Sequence, residues 1–402
     1  MTATVDTAGR DIGRLPALHY DFTRTVPLLS YYTEFDELRE RYGMFWNTLA
    51  QGFWSVLRYA EVREIFETPE VFRSDSQDPM NPEPAQRFVP TQLNDEEHVQ
   101  YRRLLTAWFS PRSIGGIRDT AREVAARLVD AVADRGSCDF VTDFALRYPT
   151  EVFLRMTGLP AEDVERFEPW LDTMFKGYHT TDHSTMDIAA ASIKGYFRDR
   201  ISERRSHPLD PQRDFVSFAM GAKIFDRPCT DDEILDLLWT LALAGLHTTR
   251  VQLVYLMHHL AATPSDREAV VADPSLNRPV IEESMRVHPL VAVLGRKLAR
   301  DIDFHGAPMR QGDMVWVSVA AANRDPRVFE DAARFDLRRK NTAHMTFGAG
   351  PHRCLGAHLA RAEMTIALEE WHARIPDYWV RPGASLTERG GLLTPQGLPL
   401  AW

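Results

Sequence analysis

The sequence is poor in cysteine and in long apolar runs. Its 402 residues include three cysteines that lie far apart, Cys138, Cys229 and Cys354. Such usage argues against a disulfide framework and predicts a protein of the reducing cytoplasm. The longest apolar run, near Leu237–Leu246, is interrupted by Thr240 and Gly245, whereas a membrane-spanning helix needs about 18 apolar residues. The segment Met1–Tyr20 has no apolar core of the kind found in signals or anchors. We therefore expect a soluble protein with no membrane partner.

An excess of positive charge is also absent. The chain has 47 lysines and arginines against 57 aspartates and glutamates, which gives a formal net charge of −10. This balance argues against a general affinity for the nucleic-acid backbone. The 22 glycines and 25 prolines follow no period, which excludes collagen-like and low-complexity classes. No repeat and no Ser/Gly-rich linker divides the sequence, so we expect one domain over residues 1–402.

What the sequence does contain is mostly helical periodicity. Amphipathic helical segments follow one another from about Glu97 to Ile224. Two strand-like runs around Gln51-Gly52, within Phe45–Tyr59, predict a hairpin. The remaining predicted elements are a strand-like region over Arg286–Val317, a long loop over Asn323–Thr346 and a helix over about Leu355–Arg374. The predicted fold class is mainly α with a minor β portion.

One predicted helix is unusually long. Thr230 and Glu233 form a capping-box pattern, in which the threonine hydroxyl and the glutamate carboxylate satisfy backbone amides at the start of a helix. The helix that follows is predicted to run to about Leu260. Its stretch Leu235–Leu246 is apolar on nearly all sides, so we expect this helix to cross the interior.

The most informative segment is a glycine-rich loop around the third cysteine, with the sequence Phe347-Gly348-Ala-Gly350-Pro-His352-Arg-Cys354-Leu-Gly356. The glycines permit tight turns that a side chain would block. Cys354 falls just before a predicted helix, whose amide end favours a negative sulfur, so we expect a lowered pKa for its thiol. By these residues alone, the segment could hold a metal or cofactor, or it could be a glycine-rich turn around a buried structural cysteine.

At every specified position this segment resembles the haem-binding loop of the cytochrome P-450 superfamily: Phe, Gly, any, Gly, any, His, any, Cys, any, Gly. The resemblance spans roughly Asp95–Trp402. It implies the cytochrome P-450 fold, with haem b bound between the long central helix and the cysteine loop. It further implies that the thiolate of Cys354 is the axial ligand of the haem iron, and that Phe347, Gly348 and Gly350 help to bind the cofactor.

Two further segments match motifs of that family. Glu283-Ser-Met-Arg286 resembles the family's Glu-x-x-Arg helix motif, and the resemblance implies a structural pair that locks to Arg334 on the loop before the haem. In isolation, Glu-x-x-Arg is usually a surface ion pair. The second segment, Ala244–Thr249, resembles the family's oxygen-binding stretch, in which the small residues Ala244 and Gly245 let the long helix sit against the haem. In isolation it is an ordinary buried helix segment.

The resemblance assigns catalytic roles within the second segment. Thr248, with Thr249 beside it, is expected to hold water and to relay protons to bound oxygen. His247 departs from the family, which usually has Asp or Glu at that position. A histidine there is able to relay protons, form a static hydrogen bond or contact a substrate, and the sequence leaves these alternatives open.

Haem carries two propionates that need cationic partners inside a protein. His98 and Arg102 share one face of a predicted helix at i,i+4 spacing. Arg296 follows the Glu-x-x-Arg helix, and His352 lies in the cysteine loop. Each alone is more often a solvated surface group, but the resemblance assigns all four to propionate contacts.

The function implied by the resemblance is a monooxygenase that inserts one oxygen atom from O2 into a hydrophobic small molecule, by hydroxylation or a similar oxidation. No flavin or iron–sulfur segment is present, so electrons must come from an external donor, usually a ferredoxin and its reductase. The basic residues near the cysteine form the expected docking patch: Arg102, Arg103, Arg353 and Arg361. The protein is expected to be a monomer.

Alternatives to this function are a peroxide-driven peroxygenase and a haem-binding sensor or carrier without turnover. Peroxygenases of this family typically carry an Arg-Pro pair where His247-Thr248 stand here. A sensor would give the threonine pair no obvious purpose. A zinc protein is also conceivable, although no histidine pair has a convincing metal-binding spacing with Cys354.

The substrate pocket is expected from family position. Its predicted lining consists of Gln77–Thr91, Leu241, Ala244, His247, Thr248, Leu290–Leu294 (with Val291, Val293 and Leu294) and Leu392–Pro395 (with Leu392 and Leu393). The apolar character of this set favours a hydrophobic substrate, and terpenoid, steroid, fatty-acid and macrolide skeletons all fit. The polar segment Lys176–Asp187 is expected to act as a mobile lid.

Overall fold

A computed structural model of the chain describes residues 10–84, 87–109, 111–177 and 184–402, and helices dominate it. The helices are α1 (Ser30–Arg41), α2 (Tyr59–Glu67), α3 (Asp95–Trp108), α4 (Pro111–Ala133), α5 (Arg147–Met156), α6 (Val164–Gly177), α7 (Ser184–Ser206), α8 (Phe215–Gly221), α9 (Asp231–Ala262), α10 (Pro264–Ala272), α11 (Asn277–Val287), α12 (Val319–Ala322) and α13 (Ala357–His372). Short 3-10 or π segments lie at Val141–Ala145, Ala161–Asp163, Pro274–Leu276 and Gly350–His352.

The strands are short and scattered along the chain. They are β1 (Ala17–Leu18), β2 (Thr25–Pro27), β3 (Met44–Asn47), β4 (Phe53–Val56), β5 (Phe72–Arg73), β6 (Ser137–Asp139), β7 (Lys223–Ile224), β8 (Arg227–Pro228), β9 (Leu294–Leu298), β10 (Ile302–Phe304), β11 (Ala307–Met309), β12 (Met314–Val317), β13 (Trp379–Val380), β14 (Thr387–Arg389), β15 (Thr394–Pro395) and β16 (Pro399–Ala401). The predicted class, mainly α with a minor β portion, is confirmed.

The largest sheet has the strand order β1-β3-β4-β12-β9-β5. The predicted hairpin is its β3–β4 pair, with Trp46 opposite Trp54 in antiparallel register. The strand-like region predicted after Arg286 supplies β9 and β12, and also the separate β10–β11 hairpin. Two three-stranded sheets have the orders β13-β16-β6 and β15-β14-β2. The second of these brings the residues near 392–395 towards the middle of α9.

Helix α9 is the central element, as predicted. The hydroxyl of Thr230 accepts a hydrogen bond from the Glu233 amide at 3.2 Å, and the Glu233 carboxylate accepts one from the Thr230 amide at 2.8 Å, so the capping box is present. The side chains of its first half, such as Leu238 and Ala242, are completely buried in one apolar cluster. Those of its second half belong to two others. The helix therefore crosses the interior.

Other predicted elements differ only at their ends. Helix α13 occupies Ala357–His372, two residues shorter at each end than expected, and the chain from residue 323 to 346 contains no helix or strand. No described helix is both long enough and apolar enough to cross a bilayer. Half of the predicted lid, residues 178–183, lies outside the described residues, and the rest falls at the end of α6 and the start of α7.

Candidate functional site

A cavity of about 650 Å³ lies between the middle of α9 and the cysteine loop. Cys354 and Phe347 line it from one side, and Ala244, Gly245 and Thr248 line it from α9. The middle of the long helix and the loop, nearly 100 residues apart in sequence, therefore face each other across one space. This arrangement is the one that the sequence predicted for a bound cofactor.

The backbone of the cysteine loop depends on its glycines. Gly348 and Gly350 have φ angles of +71° and +65°, a left-handed conformation that other residues rarely adopt. A side chain at Gly350 would also place its Cβ 2.3 Å from the carbonyl oxygen of Phe66 on α2. The amide of Cys354 donates to the Phe347 carbonyl at 2.7 Å and closes the loop. The loop therefore holds the cysteine at a fixed position before α13.

The thiol of Cys354 faces the interior of the cavity, so it is open to that space although protein surrounds it. Burial raises the pKa of this thiol. The hydrogen bond from the Gly356 amide acts to lower it, and so do the charges of three arginines, of which Arg102 has the largest effect. The amide at the helix start acts to lower this pKa, as expected, but the expected net lowering is wrong, because desolvation outweighs the amide and the charges. A metal ion deprotonates such a thiol outright when it binds.

Four basic residues converge on the same cavity, and we call them the basic quartet: His98, Arg102, Arg296 and His352. The imidazole rings of His98 and His352 lie 4.1 Å apart. Burial, followed by the charges of the other three members, lowers the pKa of His352 to about 3. Burial alone lowers the pKa of Arg296 to about 10. The quartet therefore places two arginine cations, together with two histidines that are neutral near pH 7, at a buried site.

The basic quartet fits an anionic group in the cavity. Within the described parts of the chain, none of its members forms an ion pair with a carboxylate, and Nδ1 of His352 is buried without a hydrogen-bond partner. Unpaired positive charge inside a protein is costly unless an anion accompanies it. The two propionates of a haem would supply that anion, and the cysteine thiol on the cavity wall would supply the iron ligand. The residues present thus fit haem.

The α9 wall of the cavity is helical without interruption. The hydroxyl of Thr248 donates to the carbonyl of Ala244 at 2.7 Å, within the same turn. A Cβ atom at Gly245 would meet only the ring of Phe153, at 3.9 Å, so glycine is not required there by the protein itself. The small residues instead leave open space over the cysteine loop.

A buried acid beside the threonine pair was missed by the sequence reasoning. Glu363 on α13 is 4% exposed, lines the cavity and is hydrogen-bonded to Thr249. Burial raises the pKa of its carboxyl to about 8, and the bond from Thr249 opposes that shift. The sequence did offer one signal for this site: Glu363 lies on the same face of α13 as Leu359 and Ala360, and all three line the cavity.

Most of the predicted pocket residues line the cavity. They are Leu241, Ala244 and Thr248 from α9, Val291 and Val293 from the segment before β9, Leu294 at the start of β9, and Leu392. The segment Gln77–Thr91 contributes as well, for example through Gln77 and Phe88, although residues 85 and 86 lie outside the description. The lining is mainly apolar.

Of the pocket residues predicted individually, two do not belong to the described lining, and neither do some members of the predicted ranges, such as Ala292 and Pro395. Leu393 is completely buried in an apolar cluster with Tyr255 and Trp316. Successive side chains of an extended segment point to opposite sides, so Leu392 lines the cavity and Leu393 does not. His247 is 3% exposed and lies 3.1 Å through its Nε2 from the hydroxyl of Thr394. It faces the β14–β15 hairpin because it is one position away from Thr248 on the helix.

The predicted scaffold pair is buried and bidentate. Arg286 donates to the two carboxylate oxygens of Glu283 at 2.7 and 2.8 Å, and both side chains are at most 1% exposed. The third member is Arg339, whose Nε donates to Glu283 at 2.9 Å, and not Arg334 as expected. Arg334 contributes only its carbonyl oxygen, which accepts from Arg286 at 3.0 Å. The loop conformation, which spacing does not reveal, decides which arginine faces inwards.

The expected docking patch is only partly exposed. Arg103 and Arg353 are exposed, whereas Arg102 turns inwards and donates to the carbonyl of Arg353. Arg361 is engaged by Glu282, to which its Nη2 donates at 2.8 Å. Two of the four predicted cations are therefore available at the surface.

Comparisons with known proteins agree with this geometry. The family profile described as Cytochrome P450 matches residues 274–371. Probable cytochrome P450 127A1 of Sinorhizobium fredii is 32% identical over 88% of this chain and 84% of its own length. Mycinamicin IV hydroxylase/epoxidase of Micromonospora griseorubida is 33% identical, over 87% and 89% respectively. The crystal structure of CYP101J2 superposes with a TM-score of 0.87 at 29% identity, covering 96% of this chain and 98% of that one.

Proposed function

This chain belongs to the cytochrome P450 family of oxidoreductases, whose cofactor is a cysteine-ligated haem iron, and we propose that it oxidises a hydrophobic small molecule with electrons from an external ferredoxin. In the proposed reaction one atom of O2 enters the substrate and the other leaves as water. The observation that carries the proposal is that Cys354 and Thr248 line one cavity from opposite sides.

When bound through a thiolate, haem supplies the redox chemistry, because electron donation from the sulfur favours cleavage of the O–O bond. The cysteine loop holds Cys354 for that bond, and the basic quartet neutralises the propionates. The hydroxyl of Thr248 donates to the carbonyl of Ala244, with 2.7 Å between the two oxygens. The hydroxyl oxygen can therefore still accept a hydrogen bond from water or substrate in the cavity. Thr249 stands beside it in contact with Glu363.

A hydrophobic substrate is supported by the walls of the cavity. Leu241, Val291, Val293, Leu294 and Leu392 all face the space beside Thr248. Closely packed aliphatic walls exclude water, which limits the escape of reactive oxygen and favours apolar ligands. The relatives include one named as a hydroxylase and epoxidase of mycinamicin IV, which is consistent with oxidation of an organic substrate.

Replacement of the cysteine tests the cofactor assignment. We expect the wild-type protein to show the absorption typical of a thiolate-ligated carbon-monoxide adduct, and we expect Cys354→Ser to lose it while retaining the fold by circular dichroism. Cys229→Ser is the matched control, since Cys229 is buried near the start of α9 and does not line the cavity. An unchanged spectrum in Cys354→Ser would show that another residue holds the iron. Incorporation of ¹⁸O from ¹⁸O2 into a product, measured by mass spectrometry, then tests the reaction.

Charge reversal tests the electron donor. With a small acidic ferredoxin and its reductase, we expect Arg103→Glu with Arg353→Glu to slow reduction of the haem by about tenfold or more at low ionic strength, with a smaller effect at high salt. Arg198→Glu, at an exposed site on α7, is the matched control. Equal reduction rates in all three proteins would contradict docking at this face.

A further inference from the structure

His247 is buried on α9 next to Thr248, but its side chain leaves the cavity and meets the β14–β15 hairpin. Its Nε2 lies 3.1 Å from Oγ1 of Thr394, which is itself 7% exposed. The contact joins two segments 147 residues apart in sequence. One carries the threonine pair, and the other carries the cavity residue Leu392.

The hydrogen-bond pattern assigns the tautomer of this histidine. The hydroxyl of Thr394 donates its one proton to the carbonyl of Leu392, at 2.6 Å. The same hydroxyl oxygen is therefore left as an acceptor towards Nε2 of His247. Nε2 must carry the hydrogen, so the ring is the neutral Nε2–H form or, if protonated, the cation.

The surroundings favour the neutral form. Burial lowers the pKa of His247 well below its usual range, and the charges of Arg250 on α9 and Arg389 on β14 act in the same direction. The acidic groups on the neighbouring α6 face those arginines: Asp172 acts on both, and Glu168 acts on Arg250. A positive charge on His247 would stand beside two other cations.

The segment that carries Leu392 is held from two sides. On one side Leu392 forms a β-bridge with Val291, and the amide of Leu393 donates to the carbonyl of Leu290 at 3.0 Å. On the other side the Thr394 hydroxyl is held by His247. Leu392 and Val291 both line the cavity, so this attachment sets how far its wall stands from Thr248.

We propose that His247 is a neutral positioning residue that donates from Nε2 to Thr394 and thereby fixes the Leu392 wall of the substrate cavity against the oxygen-binding turn of α9. His247 occupies the sequence position at which the family usually has an acid for proton relay, and here it holds the wall of the pocket in place instead. The proposal deepens the proposed function, since it assigns a determinant of specificity in the same cavity.

Azole ligands of two sizes test the attachment through the absorption shift of the haem iron. Imidazole occupies the iron site alone, whereas econazole extends to the cavity walls. We expect His247→Leu and Thr394→Val each to weaken econazole binding about 3- to 10-fold, and the double variant to weaken it no further. Imidazole binding should change less than twofold. Additive losses in the double variant, or equal losses for both azoles, would overturn the proposal.

Conservative variants separate the hydrogen bond from mere packing. His247→Gln keeps an N–H donor on a side chain of similar reach, and Thr394→Ser keeps the hydroxyl, so both should bind econazole within twofold of the wild type. Failure of both to retain binding, with haem content and circular dichroism unchanged, would assign the effect to shape alone and refute the proposal.

The protonation state is tested on the unmutated residue. In the carbon-monoxide adduct of protein labelled with ¹⁵N-histidine, the ring signals missing from His247→Gln identify His247. We expect the Nε2–H tautomer, with no titration from pH 8 to pH 5. An Nδ1–H tautomer or protonation within that range would overturn the proposal. This result does not depend on catalysis, so a failure of the proposed monooxygenase reaction would be distinguishable from a failure of this inference.

Discussion

The protein contains two groups of buried charged and basic residues, the scaffold around Glu283 and the basic quartet, and they are built differently. In the scaffold of Glu283, Arg286 and Arg339, the carboxylate accepts from both guanidinium groups at 2.7 to 2.9 Å. Arg286 also donates to the carbonyl oxygens of Asn323 and Ala332 at 3.0 and 2.7 Å. The basic quartet has no such acid in the described chain, and its histidine and arginine pKa values are depressed.

The difference separates a structural site from a binding site. A buried carboxylate with two arginines and several carbonyls has its hydrogen bonds satisfied within the protein, so it needs nothing else. Buried arginines that have no carboxylate partner among the described residues are stabilised when an external anion accompanies them. Charge balance thus predicts that loss of a scaffold residue harms the fold, whereas loss of a quartet residue harms cofactor retention.

The largest expected effect is on the scaffold. Glu283→Gln removes the only acid that both arginines share among the described residues, and it leaves two buried cations uncompensated. We expect the free energy of unfolding to fall by about 3–5 kcal/mol. Urea denaturation followed by circular dichroism measures this loss.

The matched control for that variant is Arg334→Ala. Only the backbone carbonyl of Arg334 takes part in the scaffold, accepting from Arg286 and Arg339 at 3.0 and 3.1 Å. Its side chain is therefore dispensable, and we expect a change below about 0.5 kcal/mol, as for surface substitutions in general. A loss in Arg334→Ala as large as that in Glu283→Gln would restore the original expectation that this arginine is the third member.

These two clusters also show how much of the site can be predicted from the sequence. The pair Glu283–Arg286 follows from i,i+3 spacing, and the quartet follows from matching the family's positions. Arg339 does not follow, since only the folded course of residues 323–346 decides which of several loop arginines points at Glu283. The direction of the Cys354 pKa shift was missed for a similar reason, because a motif shows the helix start but not the burial that outweighs it.

Side-chain direction explains the remaining differences around the cavity. A one-residue step along α9 sends Thr248 into the cavity and His247 to the β14–β15 hairpin. One step along an extended segment likewise separates Leu392 from Leu393. Glu363 was missed because its partner Thr249 lies on a different helix more than 100 residues earlier.

The next prediction concerns a quartet member. Arg296→Leu removes a buried cation that has no acidic partner among the described residues, so we expect the helical content to persist. We expect haem to escape about 10- to 100-fold faster, which corresponds to the loss of one hydrogen bond between charged groups. Transfer of haem to excess apomyoglobin, followed in the visible spectrum, measures the rate. Arg300→Leu is the matched control, because Arg300 is exposed nearby. Unfolding of Arg296→Leu to the extent of Glu283→Gln would break the distinction between the two clusters.

The smallest effect is a dependence on pH that the haem should suppress. The pKa of His352 falls from 6.5 to about 3 on folding, chiefly through burial. The unfolded chain therefore binds more protons than the folded one between those values, and stability falls as the pH drops below about 6.5. From pH 6.5 to pH 5, the contribution of His352 to this fall amounts to about 1.6 kcal/mol in the haem-free protein, and other buried histidines with lowered pKa values add to it equally with and without haem. Bound propionates would favour the protonated ring, so haem should flatten the slope, and His352→Gln should flatten it without haem. Equal slopes for haem-free and haem-loaded protein in urea denaturation at the two pH values would mean that the quartet does not face the anion.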